Sequence, residues 1–189
     1  MRNKLSLLLL GTSLALTSCA TPPLPRSVVQ APAEPAPLPY QWTQGNAPQA
    51  YKDSVVAFGR LALAPGQYRW AATIPEGEAR IVIDRLTQTF YVYRADQLVG
   101  VSSMSSGKKG KETPLGFWAV MLKKKKGFSR KYDNAPMPFM QMYDDMGIAF
   151  HAGPNPGYPA SHGCVRLPLK FAERLFGLTA MGTKVIIEG

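Results

Sequence analysis

Apolar residues from position 79 onwards follow the patterns that strands show. Residues 79–83 are apolar except for Arg80, and residues 87–93 are rich in the β-branched and aromatic types that strands prefer. The polar residues 94–97 separate this run from residues 98–104, which indicates a hairpin with a return strand. The sequence therefore predicts three successive strands here, the last two forming the hairpin.

The remaining pattern adds short strands and a helix. A Pro- and Gly-containing turn at residues 113–116 precedes a strand at 117–122, and further strands are expected at 148–151 and 185–187. Between these last two, Phe171, Ala172, Leu175 and Phe176 recur at helical spacing, with Gly177 as the expected stop. The sum is a mainly β domain with one or two short helices.

The N-terminal segment has the layout of an export signal. Arg2 and Lys4 precede an apolar run over residues 5–16, and small residues follow it. The run is shorter than the about 20 residues that a membrane-spanning helix needs. We therefore expect residues 1–18 to be a signal peptide.

The end of this segment resembles the bacterial lipobox, which has the sequence LTSC at residues 16–19 here. The resemblance implies cleavage before Cys19, acylation of Cys19, and a stable lipid anchor in the membrane. Ala20 favours the outer membrane and a periplasmic location. A plain secretory peptide, with Cys19 incidental, is the alternative.

Between the signal and the strands lie two segments of different composition. Residues 21–39 hold seven prolines and predict a semi-rigid tether. Residues 40–75 have a mixed composition with several aromatic residues and form an unassigned lead-in. Residues 19–75 are thus expected to connect the anchor to a catalytic domain over residues 76–189.

Length and charge limit the function less sharply. A chain of 189 residues with 46% hydrophobic residues is sufficient for one folded domain. Its formal net charge of +10 is concentrated at Lys108, Lys109, Lys111 and residues 123–126. Export argues against nucleic acid, so these lysines either meet an anionic wall polymer or lipid or belong to a solvated loop.

The candidate chemistry lies in the histidines and Cys164. If Cys19 is acylated, Cys164 has no disulfide partner, and the two histidines of the chain, His151 and His162, lie just before it. An imidazole beside a thiol favours the nucleophilic thiolate. The pattern predicts a Cys–His nucleophilic site, although a buried structural cysteine with ordinary histidines stays open.

A metal site is a further alternative that the residue types disfavour. Two histidines and one cysteine are too few for a closed structural zinc site, and Asp144 and Asp145 are loosely placed for a fourth ligand. We expect no metal and no cofactor.

The sequence HAG at residues 151–153, followed by GYPASHGCVRLP at 157–168, resembles the active-site signature of the L,D-transpeptidase catalytic domain family, also called YkuD-type. Upstream, SG at 106–107 and TPLG at 113–116 resemble the family's glycine and TPxG elements in the correct order. The resemblance runs from about residue 79 to 188. It implies a β-sandwich with an inserted helix.

The resemblance also implies a reaction. Cys164 would attack the carbonyl of meso-diaminopimelate in a tetrapeptide stem of peptidoglycan, release D-Ala and form a thioester. An amine acceptor would then take the acyl group: another stem, a lipoprotein lysine or a D-amino acid. His151 would be the proton acceptor and donor, oriented by a backbone carbonyl such as that of Ala152.

Further roles follow from the same resemblance. The N–H groups of His162, Gly163 and Cys164 would form an oxyanion hole, and His162 would shape the site. Arg166 is expected to stabilise the loop or contact a carboxylate, with a structural salt bridge as the alternative. Ser161 and Tyr158 are the remaining candidates for substrate contacts.

The alternatives are set by the same residues. Hydrolysis by the same thiol would make the chain an L,D-carboxypeptidase or endopeptidase, and a wall-binding lipoprotein without turnover is the candidate from another class. In NlpC-type wall hydrolases the cysteine precedes the histidine, opposite to the order here. The segment between His151 and the SHGC sequence is short and holds three prolines. Such a stiff loop would change the wall of the pocket, so it affects the expected acceptor more than the expected chemistry. Residues 132–142 are either a lid or pocket wall that covers an aliphatic stem, or ordinary packing.

Overall fold

The computed structural model describes residues 39–189. In this part of the chain, ten strands and two helices follow one another. Their bounds are α1 Asn46–Phe58, β1 Tyr68–Trp70, β2 Ala79–Asp84, β3 Thr89–Arg94, β4 Gln97–Ser103, β5 Gly116–Ala119, β6 Leu122–Phe128, β7 Pro136–Met142, β8 Ala149–Ala152, β9 Val165–Leu167, α2 Leu169–Leu178 and β10 Lys184–Glu188.

The strands form two sheets. The first has the order β1-β4-β3-β2-β10-β5, and the second has the order β6-β7-β8-β9. Pairing is antiparallel except for β2 with β10 and β8 with β9, which run parallel. The main core joins alternate residues of β2, β3 and β10 to residues of β8, β9 and α2. The prediction of a mainly β fold with one or two helices is confirmed, and the number of helices in residues 39–189 is two.

Helix α1 covers the opposite face of the first sheet. Ala47 and Ala50 pack in a second core with the residues of β2, β3, β4 and β10 that point away from the main core. The segment that the sequence left unassigned therefore contains a helix and strand β1, and both belong to the compact unit that runs from Leu38 to Gly189.

The N-terminus of α1 is held by a side chain from the other end of the unit. Glu188 is fully buried, and its carboxylate accepts hydrogen bonds from the N–H groups of Gln44, Asn46 and Ala47 and from the side chains of Thr43 and Asn46. Burial by itself raises the pKa of Glu188, but these bonds outweigh it and the net pKa is lowered. The N-cap residue Gly45 has no side chain that could bind the first amides of α1, and the carboxylate of Glu188 binds them instead.

Two local predictions are wrong. The expected strand at 117–122 is divided between β5 of the first sheet and β6 of the second. The change occurs between Val120, whose N–H donates to Thr183 O just before β10, and Met121, whose N–H donates to Met142 O of β7. Gly177 does not stop the second helix, which continues to Leu178 because Thr179 N–H still donates to Leu175 O. The other predicted strands and the hairpin are confirmed.

The lysine run at 123–126 is a strand rather than a solvated loop. It lies in β6 at the edge of the second sheet, where exposed lysines also discourage pairing with another chain. Lys123 differs from the others because its Nζ donates to Phe176 O and Thr179 O at the C-terminal end of α2. A cation at this end of a helix stabilises it.

None of the helices within residues 39–189 is both long and apolar enough to cross a membrane. The predicted signal peptide and Cys19 lie outside the described residues.

Replacing Glu188 with Gln tests the attachment of α1. Gln can accept fewer of these bonds and carries no charge, so we expect the free energy of unfolding to fall by about 2 kcal/mol, the range for hydrogen bonds to charged groups. Because the pKa of Glu188 is lowered in the folded state, its carboxylate adds to the free energy of unfolding at pH values above the unfolded-state pKa. This contribution is lost as the pH falls through the folded-state pKa. Urea unfolding measures both effects.

Glu173→Gln is the matched control, since Glu173 forms only an exposed i,i+3 pair with Lys170. Its replacement should change the free energy of unfolding by less than about 0.5 kcal/mol. Equal losses for the two variants would contradict the structural role of Glu188.

Candidate active site

Cys164 lies immediately before β9, in the second sheet. The parallel register pairs Phe150 with Val165 and His151 with Arg166, so the thiol and the imidazole come from adjacent strands and are two register positions apart. Cys164 is half-buried and packs against a small apolar cluster around Met137, Met140 and Ala149. The structure thus brings the two residues of the predicted nucleophilic site together.

His151 is buried and its ring orientation is fixed by one hydrogen bond. The Nδ1 atom lies 2.9 Å from the carbonyl oxygen of Ala152. A carbonyl can only accept, so Nδ1 carries the proton and Nε2 has a free lone pair. Burial lowers the pKa of His151, an effect that Arg166 reinforces and the Ala152 carbonyl partly offsets. The neutral imidazole has the tautomer that a base at Nε2 requires.

The environment of the thiol disfavours its charged form as well. Burial raises the pKa of Cys164, and the carboxylate of Asp144 adds to this, whereas a backbone hydrogen bond involving Ala149 and the charge of Arg166 act in the opposite direction. With the pKa of His151 lowered and that of Cys164 raised, the resting site favours a thiol beside a neutral imidazole. Attack by a thiol in this state would require the transfer of its proton to a base.

The loop before Cys164 is closed by the hydroxyl of Ser161. This buried side chain donates to Cys164 O and accepts the N–H of Gly163 at 3.0 Å. The hydroxyl therefore holds the loop, and the predicted contact of Ser161 with substrate stays a prediction. The N–H of Gly163 is bound to this hydroxyl, and the oxyanion hole of His162, Gly163 and Cys164 stays a prediction.

Gly163 is required for its backbone shape. Its φ of +121° is a conformation that side chains rarely adopt, and a Cβ there would lie 3.3 Å from Ile148 Cδ1. The carbonyl of Gly163 points to Thr113, whose hydroxyl donates to it at 2.7 Å and accepts the N–H of Gly107 at 2.9 Å. The threonine of the TPLG sequence thus holds the peptide next to Cys164.

A second segment runs beside the loop and holds it on both sides of Cys164. We call residues 105–108 the backing segment. Ser105 exchanges two backbone hydrogen bonds with Arg166, Ser106 O accepts the N–H groups of Ala160 and Ser161, and Lys108 N–H donates to Ser161 O. The sequence identified this segment only through its glycine, because the contacts join residues more than 50 positions apart.

One wall of the site is formed by the β6–β7 hairpin. Met137 and Met140 of β7 pack with Cys164, and at the hairpin tip Tyr132 stacks on His162 with ring centroids 4.5 Å apart. Phe139 of the same strand packs against the main core. Residues 132–142 therefore serve both as ordinary packing and as a wall of the site.

The other predicted contacts occupy different positions. Arg166 forms no ion pair within the described part of the chain, and its stem lies beside Gly153. The salt-bridge alternative is thus not seen there. Tyr158 is 62% exposed, and its carbonyl accepts a hydrogen bond from Ser105 Oγ at 2.7 Å. Its ring is free to meet a ligand.

Residues 39–189 contain no group of three or more His, Cys, Asp or Glu side chains that could hold a metal ion. Asp144 is buried and accepts the N–H of Ile148 at 2.7 Å.

Comparison with known proteins identifies the class. Residues 78–187, more than half of the chain, match the model of the YkuD family, the L,D-transpeptidase catalytic domain. The chain belongs to this family, as its sequence motifs predict. None of the curated proteins compared with the chain matches it.

Solved structures agree on the fold. An L,D-transpeptidase from Stackebrandtia nassauensis has 22% identity and a TM-score of 0.55, covering 62% of this chain and 58% of its own. One from Mycobacterium tuberculosis H37Rv has 20% identity and a TM-score of 0.56, covering 59% and 57%. The Ldtfm–avibactam carbamoyl enzyme has 25% identity and a TM-score of 0.53, covering 59% and 49%. The chain thus spans about half to three-fifths of the length of these proteins.

The charge states in the site can be tested by alkylation. Because the pKa of Cys164 is raised and that of His151 is lowered, the iodoacetamide rate at Cys164 should keep rising above pH 8, with a midpoint higher than for an ordinary cysteine. Peptide mass spectrometry counts Cys164 separately from Cys19. The urea-unfolded chain is the control and should titrate normally.

A rate that already reaches its plateau below pH 7 would contradict this description. It would mean that a thiolate–imidazolium pair exists in the resting site.

Proposed function

We propose that the protein is a peptidoglycan L,D-transpeptidase in which Cys164 is the nucleophile and His151 the base. The observation that carries the proposal is the orientation of His151. Its Nδ1–H is committed to Ala152 O, which leaves Nε2 free on the strand next to Cys164. Family membership supplies the reaction class.

In the first half-reaction, Cys164 Sγ attacks the carbonyl of meso-diaminopimelate in a tetrapeptide stem while His151 Nε2 takes the thiol proton. The bond from this carbonyl to the amine of D-Ala breaks, and the imidazolium returns the proton to that amine. D-Ala leaves and a thioester remains on Cys164. The free N–H groups of His162 and Cys164 would face the oxyanion.

In the second half-reaction, an acceptor amine attacks the thioester. His151 takes a proton from the amine and gives it to the departing thiol, which restores the resting state. The acceptor is the amine of another stem, a lipoprotein lysine or a D-amino acid. Water in the same position would give a carboxypeptidase or endopeptidase.

The surroundings of Cys164 suit such a donor. The methionines of β7 offer a flexible apolar wall to an aliphatic side chain, and Tyr132 and His162 extend this wall with stacked rings. Arg166 lies close enough to influence the pKa of both His151 and Cys164. Its charge could bind a carboxylate of the stem, and Tyr158 offers an exposed ring at the outer edge.

Product analysis with a disaccharide tetrapeptide tests the proposal. The protein should release D-Ala and give a 3→3 cross-linked dimer in the mass spectrum. Replacing Cys164 with Ser, or His151 with Ala, should lower the rate at least about 100-fold, the range for loss of general base catalysis. Tyr51→Phe, on the far side of the first sheet, is the control that keeps the activity.

Tripeptide without dimer would replace transpeptidation by hydrolysis at the same thiol. If the wild-type protein leaves the tetrapeptide unchanged, both transpeptidation and hydrolysis are contradicted. A wall-binding protein without turnover would then be the remaining interpretation.

We further infer that the domain acts outside the cytoplasm, on a lipid anchor at Cys19 with residues 21–39 as the tether. The lipobox resemblance and the wall substrate support this, and Ala20 favours the outer membrane. Globomycin, which blocks cleavage of lipoprotein signals, should leave the uncleaved precursor. Unchanged processing would reject the anchor.

A further inference from the structure

Gln88 occupies an unusual position in the turn between β2 and β3. Its side chain is 9% exposed, and its backbone has a φ of +53°, which is uncommon for a residue with a long side chain. The turn contacts the backing segment through the side chain of Gln88. Neither the sequence motifs nor the proposed mechanism assigns Gln88 a role.

The amide of Gln88 makes three hydrogen bonds. Its Oε1 accepts the N–H of Ser106 at 2.9 Å, and its Nε2 donates to Ser106 Oγ at 2.8 Å and to Arg85 O at 2.5 Å. Both polar atoms of Ser106 that point towards the turn are therefore bound by one side chain. Only an amide offers an acceptor and two donors in this arrangement.

Ser106 passes this constraint on to the loop before the nucleophile. Its carbonyl accepts the N–H groups of Ala160 and Ser161, both at 3.0 Å. Ser161 in turn holds the carbonyl of Cys164 and the N–H of Gly163 through its hydroxyl. A continuous set of hydrogen bonds thus leads from Gln88 through Ser106 and Ser161 to the peptide of Cys164.

We propose that Gln88 is a positioning residue for the Cys164 loop. Its amide holds Ser106 in the one orientation that presents the Ser106 carbonyl to Ala160 and Ser161. Glycine adopts a positive φ at lower conformational cost than glutamine. The buried hydrogen bonds of the Gln88 side chain offset this cost. The inference deepens the proposed function, on which it rests, by adding a residue that never touches substrate.

Gln88→Met tests the proposal in the full chain, because Met has a similar length and makes none of the three bonds. Hydrogen exchange at the amides of Ala160 and Ser161 should accelerate about tenfold relative to wild type, since their acceptor loses its support. Exchange at Val82 and Ile83 in the core should change much less. In the turnover assay, kcat should fall about tenfold at nearly constant KM, as expected for misplacement of a reacting group.

Two further variants make the result specific. Ser106→Ala loses only the bond from Gln88 Nε2 and should show the same selective acceleration to a smaller extent. Tyr93→Phe loses a 2.6 Å bond to Asp53 on the opposite face of the first sheet. It should leave the loop amides and kcat unchanged even if the protein is less stable.

The proposal is overturned if the loop amides of Gln88→Met exchange as in wild type, or if they accelerate in parallel with the core amides. If Gln88→Met fails to fold, Ser106→Ala decides by the same two criteria. Exchange does not depend on turnover. A wild-type protein without transpeptidase activity would therefore reject the proposed function while the exchange result still judges Gln88.

Discussion

The loop that carries Cys164 has little regular secondary structure, so its shape depends on hydrogen bonds from the backing segment at residues 105–108. Ser105 binds the backbone after Cys164, Ser106 and Lys108 bind the backbone before it, and Thr113 holds the peptide of Gly163. A nucleophile must be held in a defined geometry if attack is to be fast. For Cys164, the proposed nucleophile, the geometry comes from contacts between distant parts of the chain rather than from the loop itself.

The electrostatics of the site follow from the same burial that orders it. Desolvation disfavours both charged forms, and the carbonyl of Ala152 selects one neutral tautomer of His151. A neutral thiol and a neutral imidazole are the states from which the proposed proton transfer would start. The cost is a less nucleophilic resting thiol, which the oxyanion donors at His162 and Cys164 would offset during attack.

Local sequence patterns were sufficient to predict much of the fold, because the spacing of apolar residues along a strand or helix indicates which face is buried. The hairpin of β3 and β4 and helix α2 were predictable for this reason. Helix α1 was not, since its N-terminus is capped by Glu188, 141 positions from Ala47. Strand β7 was also missed, because its prolines argue against a strand in the sequence. Pairing with β6 and β8 overrides this local preference and tolerates the positive φ of Phe139.

The candidate site shows the same division between local and distant information. Cys164, His151 and His162 could be found because reactive residue types cluster in sequence. The uses of Ser161 and Gln88 could not, because a hydroxyl or an amide looks the same whether it binds substrate or backbone. Intact mass spectrometry after brief mixing with a tetrapeptide donor tests the central claim most directly. The account predicts a covalent adduct on Cys164 with the mass of the donor less D-Ala. No adduct on Cys164, or one that retains D-Ala, would contradict it.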